Sequence, residues 1–142
     1  MSCAFSWPLQ QALFDAIRAD PSCAAHLGER IHDAAPPFGA DAGAEGLYLT
    51  LGDEAVSDWS TASDRGARHR VTLVVHAPRR GFAEAKQAAA AVAEVVLEGA
   101  LPLSRGRVVN RRFVSARTRR AELDALREVE LRFDITIEDS AG

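Results

Sequence analysis

The chain has 142 residues, 47% of them hydrophobic and 26% charged, which is ordinary globular composition at the length of one domain. Its net charge of −3 argues against a general attraction to nucleic acid or to anionic membrane, although charge can still be segregated locally. No uninterrupted apolar run of about 18 residues occurs, so no membrane-spanning helix is expected.

The first predicted element is a helix with Ser6 as N-cap and Pro8 in its first turn, where Leu9, Ala12, Leu13, Ala16 and Ile17 recur at helical spacing. Asp20 and Pro21 end it, because the residue before a proline is pushed out of the α region. Ser22 then caps a short turn through Cys23, Ala24, Ala25 and Leu27, closed by Gly28. The opening MSCAFSWPLQQ lacks the basic and apolar regions of a secretory signal, which predicts a protein made in the cytosol. Cys3 and Cys23 lack C-x-x-C spacing and are read as free thiols.

A brief Arg30-Ile31-His32 extension leads to the Pro- and Gly-rich stretch from Asp33 to Glu45, read as a long loop. Leu47, Leu49 and Leu51 alternate with Tyr48 and Thr50 as a strand, which Gly52 and Asp53 are expected to stop. A polar loop carrying Trp59 follows. The next strand covers about Ala67 to Ala77, with Val71, Leu73 and Val75 on one face and Thr72, Val74 and His76 on the other. Pro78 and Gly81 turn the chain into a helix from Phe82 to about Leu97. Its packing stripe of Phe82, Ala85, Ala88, Ala89, Val92, Ala93 and Val96 is small enough to lie close over a sheet.

Two more strands are predicted, at about Arg107 to Arg117 and Leu126 to Glu138. In the last, Val129, Leu131, Phe133, Ile135 and Ile137 alternate strictly with charged or polar residues, giving one buried face and one solvated face. The order is helix, strand, strand, helix, strand, strand. It predicts a single α+β domain over 1–142, with a mainly antiparallel four-stranded sheet and helices on one face. Residues 1–5 and 139–142 are expected to be flexible ends.

No stretch offers catalytic chemistry. His26, His32, His69 and His76 lie on different elements without the spacing of a metal site. Ser57, Ser60, Thr61 and Ser63 have neither a neighbouring histidine nor a nucleophile elbow. The expectation is a non-enzymatic protein without metal or cofactor.

The run Gly46-Leu47-Tyr48-Leu49-Thr50-Leu51-Gly52, then Trp59, the Val71 to His76 strand and the alanine-rich helix resemble the DUF3168 family of tail proteins of phages and gene transfer agents. The resemblance extends over almost the whole chain. In the family the segment around Tyr48 commonly reads as a YPYI-x-hG-like run, where this chain has Gly-Leu-Tyr-Leu. Tyr48, Gly52 and Trp59 are the positions carried over. What the resemblance implies is a structural protein of a long, non-contractile tail: a homohexameric ring that caps the tail tube, denies it further subunits and presents a surface to the head-completion or stopper protein. It implies location in the particle and no membrane partner. A head–tail adaptor is the neighbouring alternative, and a small ligand-binding or enzymatic α+β domain is a rival of a different class.

The largest charge anomaly lies between Arg105 and Arg120, where seven arginines (Arg105, Arg107, Arg111, Arg112, Arg117, Arg119 and Arg120) occur without a single Asp or Glu. One reading is a basic surface for an acidic ring partner, or for DNA passing through a lumen, since guanidinium groups bind carboxylates and phosphates through paired hydrogen bonds. Its complement would be Asp53, Glu54, Asp58 and Asp64 on an adjacent copy. The other reading is a solvated hairpin balanced by Glu122, Asp124, Glu128 and Glu130 of the same chain. Trp59 is open to two roles in the same way, as an interface anchor or as a side chain folded back over the sheet edge.

Overall fold

A computed structural model describes residues 2–33, 46–77, 82–120 and 127–139. After a 3-10 turn at Ser2–Phe5 come α1 (Ser6–Ala19), α2 (Pro21–Leu27), β1 (Ile31–His32), β2 (Tyr48–Asp58), β3 (Gly66–Ala77), α3 (Phe82–Glu98), β4 (Arg107–Arg120) and β5 (Arg127–Glu138). The predicted turn at Pro78 and Gly81 and most of the predicted loop from Asp33 to Glu45 fall outside the described residues.

The sheet has five strands in the order β1-β2-β3-β5-β4, so the four-stranded expectation is corrected. The added strand is the Arg30-Ile31-His32 extension, whose Ile31 and His32 pair in parallel with Leu49 and Thr50, making the sheet mixed. The other pairings are antiparallel. The element order is corrected to α-α-β-β-β-α-β-β.

Two helix starts also differ from expectation. Ser6 is already helical and its hydroxyl turns to Glu54 at 3.4 Å, while the cap position is Phe5, with no side-chain cap. For α2 the cap is Asp20, which accepts from the Cys23 amide at 3.0 Å, with Pro21 at the first turn where a missing N–H costs nothing. Asp20 therefore does what was expected of Ser22. Arg30 joins this helix to the sheet by donating to the His26 carbonyl at 3.1 Å and the Leu47 carbonyl at 2.6 Å.

The second strand does not stop at Gly52. It shifts register between Leu51 and Glu54 and continues to Asp58, so most of the expected polar loop is the far half of a β-hairpin. Gly52 permits this bulge: a β-carbon there would stand 2.9 Å from the Thr72 methyl group, so only glycine lets β2 kink this close to β3.

α3 lies across β3, β5 and β4, with α1 and α2 packed beside it. Ala85, Ala88, Ala89, Val92 and Val96 of α3, Leu9, Leu13 and Ile17 of α1, and Leu73, Val75, Leu131, Phe133, Ile135 and Ile137 of the sheet are buried in one core. Phe5 joins it. Its ring lies against Gly106, where φ is +82° and a β-carbon would also meet Ile137, so the approach to β4 requires glycine at that point.

Candidate assembly surfaces

Antiparallel register fixes which side chains share a face. On the side away from the helices, Arg68, Arg70 and His76 of β3 stand beside Glu128, Glu130, Arg132, Asp134 and Glu138 of β5, and beside Arg107, Arg112, Arg117 and Arg119 of β4. Each long stem covers sheet surface while its charged head reaches water, and Thr72, Val74 and Thr136 are buried beneath them.

The predicted arginines separate into three groups. Arg105, Arg107 and Arg119 are held within the chain, by Asp139 at 3.3 Å, Glu138 at 2.6 Å and Glu128 at 2.8 Å. Arg111 points the other way, into the helix layer, and donates to the carbonyls of Val96 at 3.0 Å and Gly99 at 2.5 Å. There a cation meets the negative end of the α3 dipole and satisfies carbonyls that a helix end leaves open. Arg112, Arg117 and Arg120 are exposed and form no ion pair among the described residues. Glu128 and Glu130 supply part of the intrachain balance expected of them, while Glu122 and Asp124 lie outside the described residues.

Asp134 is the centre of a second cluster. Arg70 grips it with two hydrogen bonds, at 2.8 and 3.0 Å, and Arg112 and Arg68 add their fields, so its carboxyl is held below the usual carboxylate range. Three guanidinium groups around one carboxylate leave this part of the face basic.

The acidic residues lie at the other side of the sheet. Asp53, Glu54 and Asp58 are on β2, three strand spacings from β4 and so about 14 Å across the sheet. Glu54 turns toward the helix layer, where it meets the buried His69 at 2.8 Å. Asp58 accepts from the Ser60 amide and hydroxyl, which lowers its pKa, and Asp64 forms a local turn with Thr61. One copy therefore cannot bring these acids to its own β4 arginines. Trp59 is half-buried with its ring edge against Gly66, the folded-back arrangement.

Tyr48, His76, Glu128 and Arg119 form one row across four strands. The Tyr48 ring stacks on His76 with centroids 4.4 Å apart and planes 9° from parallel. β3 is a central strand, and the His76 imidazole lies between Thr50 Oγ1 at 2.8 Å from Nε2 and Glu128 at 3.2 Å from Nδ1. Glu128 faces Nδ1 closely enough to act on it electrostatically, while the hydrogen bond at Nε2 runs to or from the Thr50 hydroxyl according to the imidazole tautomer.

Burial lowers the His76 pKa against the opposing pull of Glu128. A histidine that binds its proton more weakly when folded makes the native state most stable above its unfolded value of about 6.5, and stability falls as pH drops below it. Urea midpoints are expected to decline between pH 7 and 5, with His76→Gln flattening that decline. Asp134, whose pKa is also lowered, contributes its loss only below about pH 4. An unchanged slope in the variant would remove His76 as the cause.

Sequence reasoning missed the apolar exposure on β4. Val109 is 37% exposed and Phe113 44% exposed, and on α1 Trp7 is 60% exposed. The signal was present in the run Val108-Val109-Asn110 and in Phe113, but the arginines around it dominated the pattern. Among the described residues no group of three His, Cys, Asp or Glu side chains could hold a metal ion.

The chain matches the family described as tail completion protein gp17 over residues 11–138. A chain in the solved virion of a native gene transfer agent (GTA) particle is 39% identical, superposes with a TM-score of 0.85, and is matched over 96% of this chain and 99% of that one. Comparison with curated protein sequences finds no match.

Proposed function

Because this chain belongs to the tail completion protein gp17 family, whose members are structural tail proteins rather than enzymes, we propose that it is the tail terminator of a long-tailed particle, a phage or a gene transfer agent. The likeness that carries this reading is the near end-to-end match to a chain of the native GTA virion. Six copies form a ring that seats on the last layer of the tail tube, blocks further tube subunits and offers its other side to the head-completion or stopper protein. The mechanism is shape and charge complementarity without chemistry. Where the basic sheet face lines the lumen, its guanidinium groups meet passing DNA phosphates without reading sequence.

The arrangement of charge supports a head-to-tail ring. Residues 1–64 contain two basic and ten acidic residues, whereas the remaining 78 contain fifteen and ten. The first group builds one side of the sheet, through β1 and β2, and the second builds the other, through β3, β5 and β4. A heterologous contact between unlike sides closes into a ring when its rotation permits.

Electron microscopy with native mass spectrometry tests this. The expected result is closed rings with six times the 15.3 kDa chain mass, which bind purified tubes. A strict monomer at high concentration, with no affinity for tubes, would overturn the reading. Binding to a portal complex in place of tubes would move the protein to the head–tail adaptor position.

A further inference from the structure

β4 is an outer strand of fourteen residues, the longest in the sheet, and among the described residues its outward backbone groups have no strand partner. Long open edges are normally shortened, covered or interrupted by proline because they template pairing with another chain. β4 contains no proline, and it exposes Val109 and Phe113 along its length. A second open edge exists on the opposite side. β1 pairs only with Leu49 and Thr50, so among the described residues β2 from Leu51 to Asp58 has no strand on its outer side. Its residues 53–55, 57 and 58 are exposed.

The two edges are opposite in charge. β4 carries six arginines and no acid, with Arg112, Arg117 and Arg120 outside any ion pair among the described residues, while β2 carries three acids and no base. Resting on the ring proposed above, we infer that neighbouring copies join by main-chain pairing, β4 of one copy adding to the 51–58 edge of β2 in the next. The geometry also sets the direction. Through three successive antiparallel pairings, β4 runs opposite to β2 within one copy. Rotation about an axis along the strands preserves strand direction, so β4 meets the next copy's β2 antiparallel. The individual five-stranded sheets then become one continuous sheet around the ring, with the 51–58 edge of each copy covered by the neighbouring β4.

Side chains and backbone contribute differently. The charges select which edge meets which and hold off pairing of β4 with another β4. The backbone hydrogen bonds, together with burial of Val109 and Phe113, hold the joined strands.

Amide hydrogen exchange on the full chain, compared between rings and subunits dissociated by dilution, tests the inference. Amides in 107–120 and 51–58 are expected to exchange about tenfold or more slowly in the ring, with helix α3 amides changing little. Rings whose β4 and β2 amides exchange at the subunit rate would overturn the pairing and leave the ring standing. Failure to form any ring, in solution or on tubes, would overturn the ring and the pairing together.

Discussion

Arg111→Glu is expected to cost about 3 to 5 kcal/mol and to leave most of the protein unfolded or aggregated. The native guanidinium donates to the Val96 carbonyl of α3 and to the Gly99 carbonyl just beyond its end; hydrogen bonds from a charged group contribute about 1.5 to 3 kcal/mol each, and a carboxylate would add repulsion from the helix C-terminus. The adjacent Arg112→Glu is expected to fold normally, with a loss of about 1 kcal/mol or less, because that side chain is exposed and forms no ion pair of its own. Its effect should instead be on assembly: with Arg117→Glu it should weaken ring formation about tenfold or more at low salt. Urea unfolding and analytical ultracentrifugation separate the two outcomes. Normal stability in Arg111→Glu would refute its structural role, and rings of unchanged affinity in the Arg112/Arg117 double variant would refute the charge complementarity.

Phe133→Ala is the second large effect, expected to lower stability by about 3 to 5 kcal/mol. Phe133 is fully buried in the centre of β5, between Val71 of β3 and Phe113 of β4. Its ring meets Phe113 edge-on, with centroids 5.9 Å apart. Truncation would open a cavity beneath α3 and remove that contact, which no neighbouring strand can close without losing register. Phe113→Ala, at a half-exposed position, should cost about 1 kcal/mol or less. Calorimetry on both variants checks the order, and equal costs would show that Phe133 is not the central packing residue of the sheet.

Arg111 and Arg112 also show where sequence reasoning reached its end. Both belong to one uninterrupted basic run, and strict alternation from the half-buried Val108 would have placed Arg112 inward and Arg111 outward. The register shift between Val108 and Asn110 inserts one residue and reverses this. A bulge arises from contacts between distant strands, so no local pattern announced it. Gly52 misled for a related reason, since a glycine followed by an aspartate signals a turn as readily as a bulge. By contrast, the alternation in β5 and the small-residue stripe of α3 were legible because each is repeated many times within one element. β1 is two residues long and is held by β2, leaving almost nothing local to read.

The strand order has a consequence for the chain as it is made. β5 follows β4 in sequence but lies between β4 and β3. A polypeptide that has emerged only as far as β4 therefore has no place to put that strand. The β4 edge does not exist until the last sheet partner is inserted. Fragments that lack β5 therefore lose the β4 edge as well, so the outer strand of the sheet depends on completion of the chain.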